Sequence, residues 1–598
     1  MRRPIKQLAS TGIGLALMAG IFVTFGSSSA PAASSSTVAS YGYLSSAPTV
    51  LYTFPLSQNA YSPGYEQFSY QMYRPLYWFG GSGTGAPLLN PALSLADLPQ
   101  YSASGRTVTI RLKHYMWSDG HAVTARDVQF FMNLVKAERL HWPTYVPGYF
   151  PDDVTKVTVL GTYKVAFQLS RSYGHNSTWF LSNELSQITP IPTFYWDKVS
   201  ATSPIKPYDL TPSGAAKVWT YLNAQSSTTQ TYATNPLWRV VDGPWKLTQF
   251  STTGEAVFKP NPAYSGPEKP TIKTYQMIPF TSGTAELNYL LSTPNLTIGS
   301  IPTLDVQAER SRLKQDGYKV VGVHPWATNY IPLNFNNPTL GPVVSQLYMR
   351  QAMQSLIDQQ TYVAHAFNGL AVPTYGPVPV EPPNPFASAA ERTNPYPFNP
   401  QKAVRLLTSH GWDVKKGGVS TCARAGSGPT ECGAGIAAAT PLSFTLEYAS
   451  SITELSTELQ FVAGNFESAG IRLILRGTQS LVYPQCTKGS AACSWQMVQG
   501  GTSFTYFPDY YPTPDEFGCT TAYNSGSYCN TAVDPLIVGA RLGVKGALTR
   551  VQDLLSTQVP ALWLPVEDNI VVYKANLLGG VPEDALGQIY PASWRFGH

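Results

Sequence analysis

Residues 442–475 constrain the fold more than any other stretch of this chain. Leu442 to Tyr448 reads as a strand, Leu455 to Phe466 as a helix, and Ile471 to Leu475 as a second strand. A strand–helix–strand unit joins parallel strands through a covering helix, because a tight hairpin cannot connect parallel strands. The chain is therefore expected to be α/β. Earlier segments agree. Thr107 to Leu112 alternates, with Val108, Ile110 and Leu112 on one face, and Lys164 to Leu169 reads as another strand. Thr124 caps a helix, with Asp127 at the capping-box distance and Val128, Phe131, Met132 and Val135 as its apolar stripe. Tyr330 to Phe335 predicts a strand, and Met349, Ala352, Met353 and Leu356 a helix. Asn399-Pro400 opens a further helix, closed by Gly411. Residues 200–236, rich in Ser, Thr, Asn and Pro, predict an irregular surface excursion, and the Pro-dense 373–400 a long irregular wrap. At 598 residues and 43% apolar, the chain exceeds one ordinary domain and can fill a sizeable core. No internal repeat is visible. The pattern predicts at least two lobes, with a cleft between them as the default place for a small ligand.

The N-terminus reads as a secretory signal over 1–32. Arg2, Arg3 and Lys6 precede an uncharged apolar run from Gly12 to Phe25, and Ala30-Pro31-Ala32 fits a small-x-small cleavage site. No Cys stands there to carry a lipid, and an uncleaved anchor is the alternative. The Ser/Ala-rich residues that follow predict a flexible tether over 33–46. The formal charge of +5 loses three basic residues with the signal, leaving about +2. Such a balance excludes the electrostatic footprint of a nucleic-acid binder and a polybasic membrane patch. The six cysteines fall in close pairs: Cys422 with Cys432, Cys486 with Cys493, and Cys519 with Cys529. In an exported chain that pattern predicts three local disulfides. Zinc is the rival, but the spacings exceed Cys-x2-Cys and no His clusters beside them.

Common catalytic signatures are missing: no His-Glu-x-x-His, no Gly-x-Ser-x-Gly and no Gly-x4-Gly-Lys-Ser/Thr. The eight histidines are scattered, none paired at metal-ligand spacing on a helix. Ser203-Pro204-Ile205-Lys206 has a Ser-x-x-Lys spacing but lies in a Pro-rich stretch and reads as coincidence. Charged residues are only 13% of the chain, whereas Tyr (36) and Trp (13) are frequent. Their apolar bodies and polar tips suit a half-wet cleft as well as a core.

Five segments resemble the family-5 extracellular solute-binding proteins, the peptide and nickel receptors of ABC importers. Trp117-Ser118-Asp119-Gly120-His121-Ala122-Val123-Thr124-Ala125-Arg126-Asp127-Val128 is similar to the family's W/F-x-D-G-x-x-x-T-A-x-D-V signature. Asp242-Gly243-Pro244-Trp245-Lys246-Leu247, followed by Lys259-Pro260-Asn261-Pro262-Ala263-Tyr264, resembles G-x-G-P-Y-x-L with R-N-P-x-Y. Asn334-Phe335-Asn336, Arg350-Gln351-Ala352, Ile357-Asp358 and Ala371 to Pro377 recur in the family's order, as does Asn399 to Trp412. The fifth segment, Asp509-Tyr510-Tyr511-Pro512-Thr513-Pro514, departs from the family's D-Y-P-D-P, in which an Asp holds the ligand's α-ammonium. Aligning Tyr511-Pro512 on the family's Tyr-Pro puts Tyr510 at the amine-binding position. A one-residue bulge restores Asp509, which could equally cap a surface turn.

The resemblance implies a two-lobed periplasmic-binding-protein-like fold of the large type II cluster, with an extra subdomain and a discontinuous first lobe. It places lobe I at 47–328 with a subdomain inserted at roughly 75–235, lobe II at 329–568, and a return to lobe I at 569–598. Crossings fall near Asn329 and Asp568. The implied function is extracytoplasmic capture of a peptide or similar small polar ligand for an ABC permease. The expected protein is a monomer without a cofactor, catalysis or a nucleic-acid partner. Candidate ligand-lining residues are Asp509, Tyr510, Tyr61, Tyr375, Phe504 and Trp495. The rivals are an oligosaccharide or nickel-chelate receptor on the same fold and, in another class, a secreted hydrolase, which would need two convergent carboxylates in the cleft.

Overall fold

A computed structural model describes residues 38–597, apart from 45–53, 57–64, 82, 84, 143–144, 146, 174–176, 293–295, 451, 480, 482, 502–503, 506–513 and 520–523. All described residues fall in one compact unit, Ser36–His598. The signal reading over 1–32 lies outside them.

The first lobe is built on a seven-stranded sheet. Its strand order is Tyr318–Val323, Asn569–Lys574, Ile298–Ser300, Val38–Leu44, Thr274–Phe280, Ala256–Pro260 and Trp245–Phe250. The strand Val38–Leu44 is central and runs parallel to both neighbours, paired from Val38↔Thr274 to Leu44↔Phe280 and at Tyr41↔Ile298. The tether expected to run to residue 46 is therefore corrected from Val38 onward. Ala39, Ser40 and Gly42 are small because this strand is covered closely, not because it is a linker. A Cβ on Gly42 would collide with the Glu286 carboxylate and stand 3.0 Å from the Phe280 ring. Glu286 belongs to the helix Gly283–Ser292.

A second sheet in this lobe orders Gln100–Tyr101, Thr107–Arg111, Lys164–Leu169 and Val154–Gly161, all antiparallel. Val108 and Ile110 are buried as their alternation requires. The helix Ala125–Ala137 covers it, and its first turn carries the expected carboxylate contact. Thr124 N and Oγ1 donate to Asp127 Oδ2 at 2.8 and 3.0 Å, and Thr193 N donates to Oδ1 at 2.9 Å. The irregular excursion expected at 200–236 is a second correction, because Pro212–Ser226 forms a helix of fifteen residues. Thr211 caps it by accepting from Gly214 N at 3.1 Å, and Pro212 takes the first position. Ala215, Val218, Trp219 and Leu222 are its buried stripe, a 3.6-residue period masked by polar composition elsewhere on the helix.

The second lobe contains the parallel unit read from sequence. Ser443–Ala449 pairs in parallel with Arg472–Thr478 and with Met497–Gln499, and Thr453–Glu467 is the crossover helix. The strand expected at 330–335 lies at Ala327–Pro332. It ends there because asparagine side chains take over the backbone groups: Asn334 Oδ1 accepts from Asn336 N and Asn337 Oδ1 from Leu340 N. Pro400–Ser409 is helical, with Asn399 Oδ1 accepting from Lys402 N at 2.8 Å and Gly411 left-handed at φ 79° beyond its end. The wrap 373–400 is irregular except for the short helix Ala389–Arg392.

All three local disulfides are formed. Cys422 joins Cys432 with a Cα–Cα distance of 6.0 Å, Cys486 joins Cys493 at 5.3 Å, and Cys519 joins Cys529 at 4.4 Å. Cys422 and Cys432 are both buried in the core of the second lobe. The Cys432 sulfur stands 3.4 Å from Gly411 O. It carries no proton once oxidised, so this is a packing contact and not a thiol hydrogen bond.

Candidate functional site

The strands Tyr318–Val323 and Asn569–Lys574 pair antiparallel, and their last rung is Val323↔Asn569. Both leave the sheet at that point. Ala327–Pro332 and Ala561–Leu564 then pair in the second lobe, from Asn329↔Leu564 to Pro332↔Ala561. The lobes are thus joined by two crossings lying side by side, His324–Trp326 and Pro565–Asp568. Pro325 and Pro565 lack the N–H that would extend either ladder, which helps to separate the sheets here. Ala371–Val372 pairs with Val566–Glu567 and adds a third segment.

Polar contacts fasten the crossings to each other. His324 Nδ1 lies 2.6 Å from Asp568 Oδ1, with Asp568 3% exposed and His324 43%. The hydrogen bond to Asp568 holds the imidazole above its ordinary value. Partial burial opposes that rise, and the charges of Asp568 and Glu381 add to it. Asn329 Nδ2 donates to Pro565 O at 2.9 Å, and Gln499 Nε2 donates to Asn329 Oδ1 at 2.7 Å. These pairings bring together residues up to 244 positions apart, so no local pattern announced them.

The crossing also faces the carboxyl ends of the parallel strands of the first sheet. In Asn569–Lys574, Asn569 sits at the crossing and Val571 opposite Ser300. The carboxyl end of Ile298–Ser300, and of the parallel strands beside it, therefore points towards the crossing. Ligands of open α/β sheets bind outside the carboxyl ends of the strands.

Of the sequence-derived candidates, Phe504 lies at this place and Tyr375 follows a residue bonded to it. Phe504–Thr505 pairs with the crossing strand at Thr328↔Phe504. Asp509, Tyr510 and Tyr61 lie outside the described residues. The flanks of 506–513 are nevertheless placed. On one side Thr505 pairs with Ala327. On the other, Phe517 packs with its ring centroid 5.8 Å from Tyr330 and 5.7 Å from Trp563. Tyr330 is also hydrogen-bonded to Glu516, and burial above all pushes its phenol well up. Both flanks therefore rest on the strand Ala327–Pro332. Tyr375 is half-buried, and burial raises its phenol while a hydrogen bond with Gln360 opposes the rise. Its neighbour Thr374 donates through Oγ1 to Leu564 O at 2.7 Å, on the returning strand. Trp495 is buried. Its indole N–H donates to Pro484 O at 3.2 Å, and its carbonyl accepts from Asn334 and Asn337, so it fastens the loop closed by Cys486–Cys493. Among the described residues, no group of three or more His, Cys, Asp or Glu could hold a metal ion.

Two α/β lobes joined by paired crossings define the solute-binding-protein architecture. The model of the bacterial extracellular solute-binding proteins, family 5, matches residues 90–524, and the chain belongs to that family. Protein XP55 of Streptomyces lividans is 25% identical over 455 residues, which are 76% of this chain and 70% of that protein. The oligopeptide-binding protein AppA from Bacillus subtilis, solved with a nonapeptide, superposes with a TM-score of 0.66 at 16% identity. The match covers 94% of this chain and 99% of AppA. NikZ from Campylobacter jejuni, solved with Ni(L-His), gives a TM-score of 0.65 at 16% identity, over 94% of this chain and 99% of NikZ. Family members are extracellular solute-binding proteins. Among the described residues, no helix is long and apolar enough to cross a membrane.

Proposed function

We infer that this protein is the extracytoplasmic receptor of an ABC importer and captures a peptide or similar small polar ligand between its lobes. The observation that carries the reading is the crossing itself. It gathers Phe504, the neighbour of Tyr375, and both flanks of the segment holding Asp509 and Tyr510 onto strands that join the lobes. AppA, which binds a nonapeptide, supports the peptide class through the shared fold. Lobe I runs from Val38 to the first crossing and resumes after the second, with the sheet at 100–169 as its extra subdomain; lobe II lies between. The protein works as a monomer without catalysis, handing its ligand to permease subunits at the outer face of the membrane. Closure is a population shift driven by contacts that form when the lobes meet around a ligand.

Native mass spectrometry of freshly purified protein identifies the ligand class, with co-purified peptides as the expected result. A chelate or an oligosaccharide in their place would reassign the ligand on the same fold. Turnover of peptides or glycosides abolished by one point mutation would refute the receptor reading. If Asp509 pairs with a ligand ammonium, calorimetry shows a peptide losing about 2–5 kcal/mol on Asp509→Asn, and a similar loss on N-acetylation. Equal affinity for the free and acetylated peptides removes Asp509 from that role and favours Tyr510 against a neutral ligand end.

A further inference from the structure

The lobes touch at a second place, away from the crossings. The helices Val533–Arg541 and Ala547–Gln558 are anchored in the second lobe, where Val533, Ile537, Val551 and Leu555 pack with Tyr330, Phe517 and Trp563. Between and beside them, Leu542 and Leu548 pack on the core of the first lobe. Arg541 reaches further. Its guanidinium carbon lies 3.8 Å from the Tyr149 ring centroid and 5.3 Å from that of Trp179, both first-lobe residues. Arg171 approaches the Tyr149 ring as well, at 5.1 Å, and donates to Gly148 O at 2.8 Å. Arg541 also acts electrostatically on Glu184, a buried first-lobe carboxyl that burial pushes well up while Arg541 and Arg171 oppose the rise.

The quality of this contact matters. Arg541 is 7% exposed, and its Nε has no hydrogen-bond partner among the described residues. A cation withdrawn from water with an unpaired N–H carries a desolvation cost. Attraction to aromatic faces offsets part of that cost. The unpaired N–H leaves the contact weaker than a fully satisfied ion pair, as suits one that forms and breaks rather than one that cements two bodies. Pivoting about the crossings would separate Arg541 from Tyr149 and Trp179, because both rings belong to the first lobe.

We propose that Arg541 is an interlobe clasp: its seat between Tyr149 and Trp179 forms as the lobes close and sets the closed population, without touching the ligand. The proposal rests on lobe closure as the binding step, and its test needs no knowledge of the ligand. A desolvated cation–aromatic contact corresponds to an about 30-fold shift in the closed-to-open ratio, or about 2 kcal/mol at 1.4 kcal/mol per decade. Small-angle scattering on the full chain, dialysed free of small molecules, reads that population as the radius of gyration.

Arg541→Gln and Tyr149→Leu should each expand the protein, with unchanged circular dichroism. Their combination should expand it no more than Arg541→Gln alone, since that change already removes the contacts with both rings. Arg541→Lys, which keeps the cation, should restore much of the compact form. A purely structural role would lower thermal stability without changing the radius. If Arg541→Gln fails to fold, Tyr149→Leu carries the measurement from the other lobe. Radii equal to the wild type in both folded variants would overturn the clasp. If mass spectrometry rejects a peptide ligand while the variants expand, the ligand reading fails and the clasp stands.

Discussion

Glu286→Gln tests the physics of the central strand. The Glu286 carboxyl sits over Gly42 and accepts from Ser300 N at 2.7 Å and Ser300 Oγ at 2.9 Å. Burial raises it from 4.5 to about 7, against the pull of both Ser300 hydrogen bonds. A raised carboxyl means that the folded chain holds the proton more tightly than the unfolded chain. The wild type is therefore unaffected below pH 4.5 and is penalised progressively as pH rises to about 7, after which the penalty is constant. By linkage the penalty is about 0.8 kcal/mol at pH 5 and about 3.3 kcal/mol at pH 8, at 1.36 kcal/mol per decade. Glutamine keeps the shape, can accept from Ser300 N and can donate to Ser300 Oγ, yet never ionises. Its stability relative to the wild type should therefore grow by about 2.5 kcal/mol between pH 5 and pH 8. Any pH-independent offset from the swap cancels in that difference. The assay is urea unfolding of both proteins across this range, following the transition that reports the first lobe. A gap that stays flat, or closes as pH rises, would refute a buried Glu286 with a raised carboxyl beneath a strand at 38–44.

Three further outcomes are expected. Thiol titration of the denatured, unreduced protein should find no free cysteine, and Cys519→Ser with Cys529→Ser should cost about 2–3 kcal/mol by loss of a short loop closure. His324→Gln should cost up to about 1 kcal/mol at pH 5.5, the half-exposed imidazole being partly screened by solvent. Because the imidazole is raised above 6.5, that contribution is full below 6.5 and fades as pH climbs through the folded value. Thermal denaturation should therefore show wild type and variant converging by pH 9, and a gap that widens instead would exclude the ion pair. Isothermal calorimetry with a free and an N-acetylated peptide decides between Asp509 and Tyr510, as set out above.

What the sequence determined by itself is what short-range forces decide. The Thr124–Asp127 contact, the Asn399 cap with Pro400 and Gly411, and the strand–helix–strand at 443–478 depend on residues within one or two turns of each other or on one crossover. The disulfides Cys422–Cys432, Cys486–Cys493 and Cys519–Cys529 join residues seven to ten positions apart, so pairing by proximity sufficed. The family signature was legible for the same reason, as its motifs are turns and caps. Composition misled where burial overrode it. Val38–Leu44 carries the small residues of a linker, yet it is the middle of a sheet because Thr274–Phe280, more than two hundred residues later, comes to lie beside it. Pro212–Ser226 has a polar composition, yet its buried stripe makes it a helix once it has a core to face. The pairing of His324 with Asp568 and the seat of Arg541 between Tyr149 and Trp179 had no sequence signal at all. Each joins chain segments hundreds of residues apart, and only the packing of two lobes around paired crossings sets the distances on which their electrostatics depend.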